Sequence, residues 1–287
     1  MFDPRLLRAF VSIVDAGSFT LAAERLHMTQ STISQQLARL EDAVGKPLID
    51  RQSRPLQLTA SGEQLIRYAR RILALQLEAQ QILDDPTGTI PIRIGLPEDI
   101  MNAEMALILG SFTQANPNVR LEVTSGLSRE LMESYCNGQF DIVIVKESAA
   151  SADHRATFPE PLAWFESIDH GGNWQNPLAL VAFHQGGLYR YEMFELLERE
   201  QQNWYIAFTG NSISNILVSV EVGLGLSLLP IATTKNYRVR QYTQFGSVTP
   251  IAISIYAWDR DGLIDSLVER MTTVLQQRFN EFNCLNL

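Results

Sequence analysis

Apolar side chains at Leu6, Leu7, Phe10, Val11 and Val14 recur at the spacing of one helix face until Asp15-Ala16-Gly17-Ser18 breaks the repeat. A short helix is predicted from Phe19, carrying Leu21, Ala22, Ala23 and Leu26, and a longer one from about Gln30 to Val44, closed by Gly45-Lys46-Pro47. Residues 48–58 have apolar ends around a polar tip and read as a hairpin. Thr59 then offers a capping hydroxyl to a helix that continues to about Asp84 without proline. On that helix Leu65, Ile72 and Ala79 are seven apart, as are Tyr68, Leu75 and Ile82, which makes a heptad seam. A lone helix leaving a small domain needs cover for such a stripe, so dimerisation through Leu65, Ile72, Leu75 and Ala79 is expected; packing on its own domain is the competing reading.

Asp85-Pro86-Thr87-Gly88-Thr89 reads as a linker, after which strands and helices alternate. Ile92–Leu96, Val119–Val123 and Asp141–Val145 read as strands, with helices over Ala103–Gln114 and Arg129–Asn137 between them. A comparable set follows: strands over Leu178–Phe183, Trp204–Phe208 and Leu226–Leu229, and helices over Tyr189–Glu200 and Ser212–Val222. Alternation of this kind implies a parallel sheet with right-handed crossovers, here repeated as two α/β lobes. The strand Ile251–Trp258 and the amphipathic helix Leu263–Phe279 close the structure by returning to the first lobe. The expected fold class is α/β, with an N-terminal winged helix-turn-helix over 1–58, a linker and dimerisation helix over 59–89, and a two-lobed α/β domain over 90–287. Lobe I takes about 90–161 and 259–287, lobe II about 162–258.

Charge changes this picture once it is divided along the chain. The net charge of -9 argues against a nucleic-acid partner, yet residues 1–84 hold ten Lys and Arg against nine Asp and Glu, a net of +1. The remainder holds thirteen against twenty-three, a net of -10, which phosphates would repel. Only Cys136 and Cys284 are present, far apart and outside any paired-cysteine metal spacing, so neither a disulfide framework nor a zinc site is expected, and no metal or cofactor. No basic-capped apolar leader and no membrane-length apolar window stands in the sequence, so a cytoplasmic protein without a membrane partner is expected.

A helix-turn-helix requires a small residue where its helices touch, apolar inner positions and a polar face at the start of the second helix. Ala23 is the small residue, Ala22, Leu26, Met28, Ile33 and Leu37 fall inward, and Gln30, Ser31, Ser34 and Gln35 face outward. His27 stands at the turn, where a left-handed backbone is needed and histidine can supply it. The run "LRAFVSIVDAGSFTLAAERLHMTQSTISQQLARLEDAVGKPLIDRQSRPLQLTASGEQL" resembles the DNA-binding domain of the LysR-type transcriptional regulators, and the order of the later elements is similar to that family's effector domain. Within the family, "GLPEDI", "LSREL" and "GLGLSLLP" look most like the LrhA and HexA branch.

The resemblance implies a bacterial, sequence-specific transcription regulator with double-stranded DNA and a small-molecule effector as partners, assembled as a homodimer or homotetramer, with RNA polymerase as a further candidate partner. It places Gln30, Ser31, Ser34 and Gln35 at the start of the recognition helix in the major groove. Their amides and hydroxyls suit base edges and phosphates; the family often has Arg where Gln35 stands, so a guanine contact there is in doubt. Arg51 and Arg54 fall on the wing, where a guanidinium can enter a narrow minor groove or pair with phosphate, and Arg51 can instead pair with an acid.

Two α/β lobes leave a cleft at their strand ends, and Glu98, Asp99, Ser128, Thr209 and Asn211 all stand at strand-to-helix turns that would gather there. Ser128 is a candidate effector ligand and equally a candidate helix cap. Glu98 and Asp99 either face the cleft, which disfavours a carboxylate effector, or cap the helix beginning near Asn102. No Gly-x-Ser-x-Gly elbow, phosphate-binding loop or His-Glu-x-x-His is present, so no catalytic residues and no enzyme are expected. A solute-binding protein would share the two lobes but not the helix-turn-helix. A regulator without a ligand, controlled by its abundance or a protein partner, is the alternative.

Overall fold

Asp3 begins the first helix: its carboxylate accepts the Arg5 N–H at 2.8 Å, and Pro4 sits in the first turn, where no donor is needed. This α1, Pro4–Ala16, stops at Gly17, whose φ of 60° is the left-handed cap that a side chain would resist. After α2, Phe19–Arg25, His27 takes a φ of 52° to turn the chain, as expected. Thr29 caps α3, Gln30–Val44, accepting the Thr32 N–H at 3.2 Å. The wing pairs β1, Ile49–Asp50, antiparallel with β2, Gln57–Leu58, and leads to α4, Ala60–Asp84.

The computed structural model describes residues 2–84, 88–172, 174–260 and 262–285. The expected linker falls partly on 85–87, outside the described residues, as do the side chains of Ile82 and Cys284. The chain divides into two compact units, 1–90 with 133–139, and 91–132 with 140–287. No described helix is long and apolar enough to cross a membrane.

In the first unit, Leu7, Phe10, Ile13, Ala22, Ala23, Ile33, Leu37, Leu40 and Leu48 form one core, joined by Ile66 and Ala69 of α4. Thr59 does cap α4, accepting the Gly62 N–H at 3.0 Å while donating to the Pro47 carbonyl at 2.7 Å. A Cβ at Gly62 would run into the Leu48 carbonyl, so only glycine lets α4 approach the wing this closely. Two expectations change. Met28 is exposed rather than inward, because the left-handed turn at His27 carries it past the core. Leu65 packs partly on its own unit's core, so the open stripe of α4 starts one turn later, at Tyr68, Ile72, Leu75 and Ala79.

Lobe I is built from β3 (Ile90–Leu96), α5 (Ala103–Ala115), β4 (Val119–Ser125), α6 (Ser128–Cys136), β5 (Ile142–Glu147) and β6 (Ala156–Glu160). The chain crosses to lobe II, made of β7 (Leu162–Ser167), β8 (Leu178–Phe183), α7 (Leu188–Arg199), β9 (Trp204–Gly210), α8 (Ile213–Glu221), β10 (Ser227–Pro230) and β11 (Val239–Gln241). It returns through β12, Ile251–Ala257, and ends in α9, Gly262–Leu285.

The lobe I sheet has the order β4-β3-β5-β12-β6, and lobe II holds the set β10-β7-β11 and the pair β8-β9. The sheets are mixed rather than parallel: β3 and β5 run parallel, while β12 is antiparallel to both β5 and β6. Since β12 lies within the first sheet, the chain has recrossed by Ile251, not at 258 as the sequence boundary placed it. Strand β6 went unpredicted because Pro159 interrupts its pattern; it is tolerated on a sheet edge, where no ladder donor is missed. Each lobe buries its own core, around Ile94, Phe112 and Met271 in the first and Trp164, Leu180 and Ile216 in the second.

Candidate nucleic-acid interface and ligand cleft

On α3 the buried positions Ile33, Leu37 and Leu40 turn one face to the core, which leaves Gln30, Ser31 and Gln35 exposed and Ser34 half-buried at the helix start. The Ser31 hydroxyl lies 2.8 Å from that of Thr29, while Gln30 and Gln35 make no side-chain hydrogen bond among the described residues. Arg54 is exposed at the wing. Arg51 is engaged: its guanidinium meets Glu41 at 2.8 Å, the acid-pairing alternative of the sequence reading. Glu41, not singled out from sequence, also accepts the backbone N–H groups of Leu48 and Ile49 at 2.9 and 3.4 Å. One carboxylate on α3 thus fixes where the wing leaves the helix; an acid ten residues before the wing arginine was the available signal.

Between the lobes of the second unit lies a cleft of about 940 Å³. It is walled by the turns after β3, β4, β5 and β8, with Asn211 and Ile213 from the turn after β9. Glu98, Asp99, Ser128 and Asn211 line it, as expected, but Thr209 does not. Side chains alternate along β9, and Thr209 falls with Tyr205 and Ala207 on the exposed face.

The capping expectations are also corrected. Asn102 caps α5 itself, accepting the Met105 N–H at 2.8 Å, so Glu98 and Asp99 are not needed there. The Ser128 hydroxyl accepts the Lys146 backbone N–H at 2.9 Å instead of capping α6. Asp99 belongs to a buried ion cluster: the Lys146 ammonium bonds to it and to the Tyr189 hydroxyl, across the two lobes. Arg278 of α9 donates to Asp99 at 3.2 Å and to Glu160 at 2.7 Å. Burial works against charge on Asp99, but Lys146 and Arg278 outweigh it and hold the carboxyl below its usual range. Burial, then the charges of Asp99 and Glu160, push the Tyr189 phenol well up. Lys146, Glu160, Tyr189 and Arg278 escaped the sequence reading; a lysine closing the buried run Ile142–Val145 was the one signal.

A unit that presents a polar helix face beside a wing, followed by a two-lobed unit enclosing a ligand-sized cleft, defines a DNA-binding regulator with a small-molecule receptor. Residues 4–63 match the family model described as bacterial regulatory helix-turn-helix protein, lysR family, and residues 86–280 match the LysR substrate binding domain. The chain belongs to the LysR family of transcriptional regulators. It is 30% identical over 228 residues to the HTH-type transcriptional regulator PecT of Dickeya dadantii, covering 79% of this chain and 72% of that one. It is 30% identical to the regulator CzcR of Bacillus thuringiensis, over 80% of this chain and 78% of the other. Full-length LysG of Corynebacterium glutamicum, solved with bound effector Arg, superposes with a TM-score of 0.59 at 18% identity, covering 95% of this chain and 97% of that one, and so shares the fold. The relatives are named as regulators: this chain is a DNA-binding transcriptional regulator with an effector-binding domain, not an enzyme.

Proposed function

We propose that Gln30, Ser31, Ser34 and Gln35 read base edges in the major groove, that Arg54 contacts the backbone or minor groove beside them, and that an effector seated against Asp99, Ser128 and Asn211 tunes transcription. What supports this is the coexistence, in one chain, of an uncommitted polar helix face and an inter-lobe cleft of about 940 Å³. Gln can satisfy adenine through both its donor and its acceptor, whereas Arg54 supplies the charge that the helix face lacks. In this reading residues 1–58 bind DNA, 59–89 join two copies and 90–287 sense the effector, in the bacterial cytoplasm where the DNA is. The open stripe of Ile72, Leu75 and Ala79 on α4 pairs two copies, dimers pair further into tetramers, and RNA polymerase is the partner at activated promoters. Binding of the full chain to genomic fragments, followed by Gln30→Ala on a recovered operator, tests the reading. Operator affinity should fall by about 1–3 kcal/mol while random DNA is bound as before. Equal losses on both DNAs would make Gln30 a scaffold residue.

A further inference from the structure

The ion cluster beside the cleft specifies what an effector can carry there, an inference that rests on the cleft being the effector site. Asp99 and Lys146 line the cleft, and Glu160 and Arg278 stand behind them. Two positive and two negative charges therefore cancel among four side chains drawn from β5, β6, α9 and the turn after β3. The Lys146 side chain is only 3% exposed. Its ammonium has three donors, of which Asp99 and Tyr189 take two; Glu160 Oε1, 3.8 Å away, matches the charge but lies beyond hydrogen-bond reach. The third donor meets no acceptor within hydrogen-bond reach among the described residues.

The rest of the lining adds no positive balance: Arg129 and Arg190 stand against Glu98, Glu130 and Glu147. Glu98 and Glu130 have no ion-pair partner among the described residues, and Glu147 accepts the Tyr256 hydroxyl at 2.7 Å. Arg190 donates to the Phe183 carbonyl at 2.8 Å and lies over the Phe194 ring. A carboxylate brought to Lys146 would give up water for a site whose charge is already matched, beside two uncommitted acids. An uncharged oxygen accepts the same hydrogen bond without that desolvation cost.

We propose that the effector is uncharged where it meets Lys146, presenting a carbonyl, amide or hydroxyl oxygen to Nζ, and that the cleft rejects carboxylates of the same shape. Phenylacetamide and phenylacetate are near-isosteric probes, to be titrated into the full chain by calorimetry with hydrogen-exchange mapping of the bound state. The amide should bind at least tenfold tighter and protect the segments around 97–99, 125–130 and 145–148. Asp99→Asn keeps the shape but leaves the cluster net positive, and should improve phenylacetate binding at least tenfold. Carboxylate binding equal to or tighter than the amide in the wild type, no gain in Asp99→Asn, or binding of neither probe would each overturn the inference. The wild-type comparison decides it should the variant fail to fold. Protection mapping outside the cleft would instead overturn the cleft reading itself.

Discussion

The recognition helix and the cleft treat their polar groups in opposite ways. Gln30 and Gln35 stand in water with no side-chain partner among the described residues, so their donors and acceptors are free for base edges. Asp99, Lys146, Glu160 and Arg278 stand out of water and are bound to one another, because a charge left unpaired there would cost several kcal/mol. A reading surface therefore keeps its groups uncommitted at little risk to folding, whereas a buried sensor wall must balance its charges before any ligand arrives. Substitutions should divide accordingly: large stability losses with the cluster, large recognition losses with the helix face.

The largest effect is expected at Arg278→Met, which keeps the stem but leaves Asp99 and Glu160 with Lys146 alone. Breaking a buried ion cluster in this way costs about 3–5 kcal/mol, read as a lowered midpoint in denaturant. The effect has a pH signature. A carboxyl with a depressed folded value contributes stability that is intact above its unfolded pKa of about 4 and is lost as pH falls through the folded value. The gap between wild type and Arg278→Met should therefore hold at neutral pH and narrow in acid below about pH 4. A pH-independent gap would mean that Arg278 acts through packing.

Next in size is Leu75→Asp. Ile72 and Leu75 are 38% and 45% exposed although they continue a heptad, which separates them from Leu65, already half-covered by its own unit. Burying such a side chain in each of two copies is worth about 1.5–3 kcal/mol apiece, so the charged variant should raise the dimer dissociation constant by roughly a hundredfold or more. Light scattering would show monomers while the unfolding midpoint changes little. A variant that stays dimeric would move the main association to the effector units.

Glu41→Ala tests the first unit where it most resembles the second, since this carboxylate is committed rather than waiting. Its loss orphans the Leu48 N–H and frees Arg51, for about 1–3 kcal/mol of stability. If Arg51 then reaches DNA, the salt dependence of binding steepens even as the domain weakens.

How much could be read from the chain follows the same division. The helix-turn-helix is legible because each of its requirements is local: a cap at Thr29, a left-handed turn at His27, a small Ala23 and a polar start to α3 lie within a few residues of one another. The alternating lobes were legible for the same reason. The ion cluster was not, because Asp99, Lys146, Glu160, Tyr189 and Arg278 meet only after β12 returns to the first sheet and α9 folds back. Thr209 was misplaced by a related limit: a strand end points to the cleft as a position, but pleating decides which side chain faces it.

The smallest effects make the sharpest test of which residues belong to the cleft. Ser128 opens α6 and Thr209 lies near the end of β9, and both carry hydroxyls, yet only Ser128 lines the cavity. Its hydroxyl accepts the Lys146 N–H at 2.9 Å, and so holds the backbone from which the Lys146 side chain departs. Ser128→Ala removes that acceptor and should cost about 1 kcal/mol of stability, with ligand affinity falling severalfold as Lys146 loses its anchor. Thr209→Val keeps the shape and changes an exposed hydroxyl on the opposite face of β9, so both stability and ligand binding should stay within about 0.5 kcal/mol of the wild type. Calorimetry with the preferred probe on the two variants side by side is the measurement. A matching loss of affinity in Thr209→Val would show that the ligand or lobe closure reaches the far face of β9, and the boundary drawn around the cleft would have to include it.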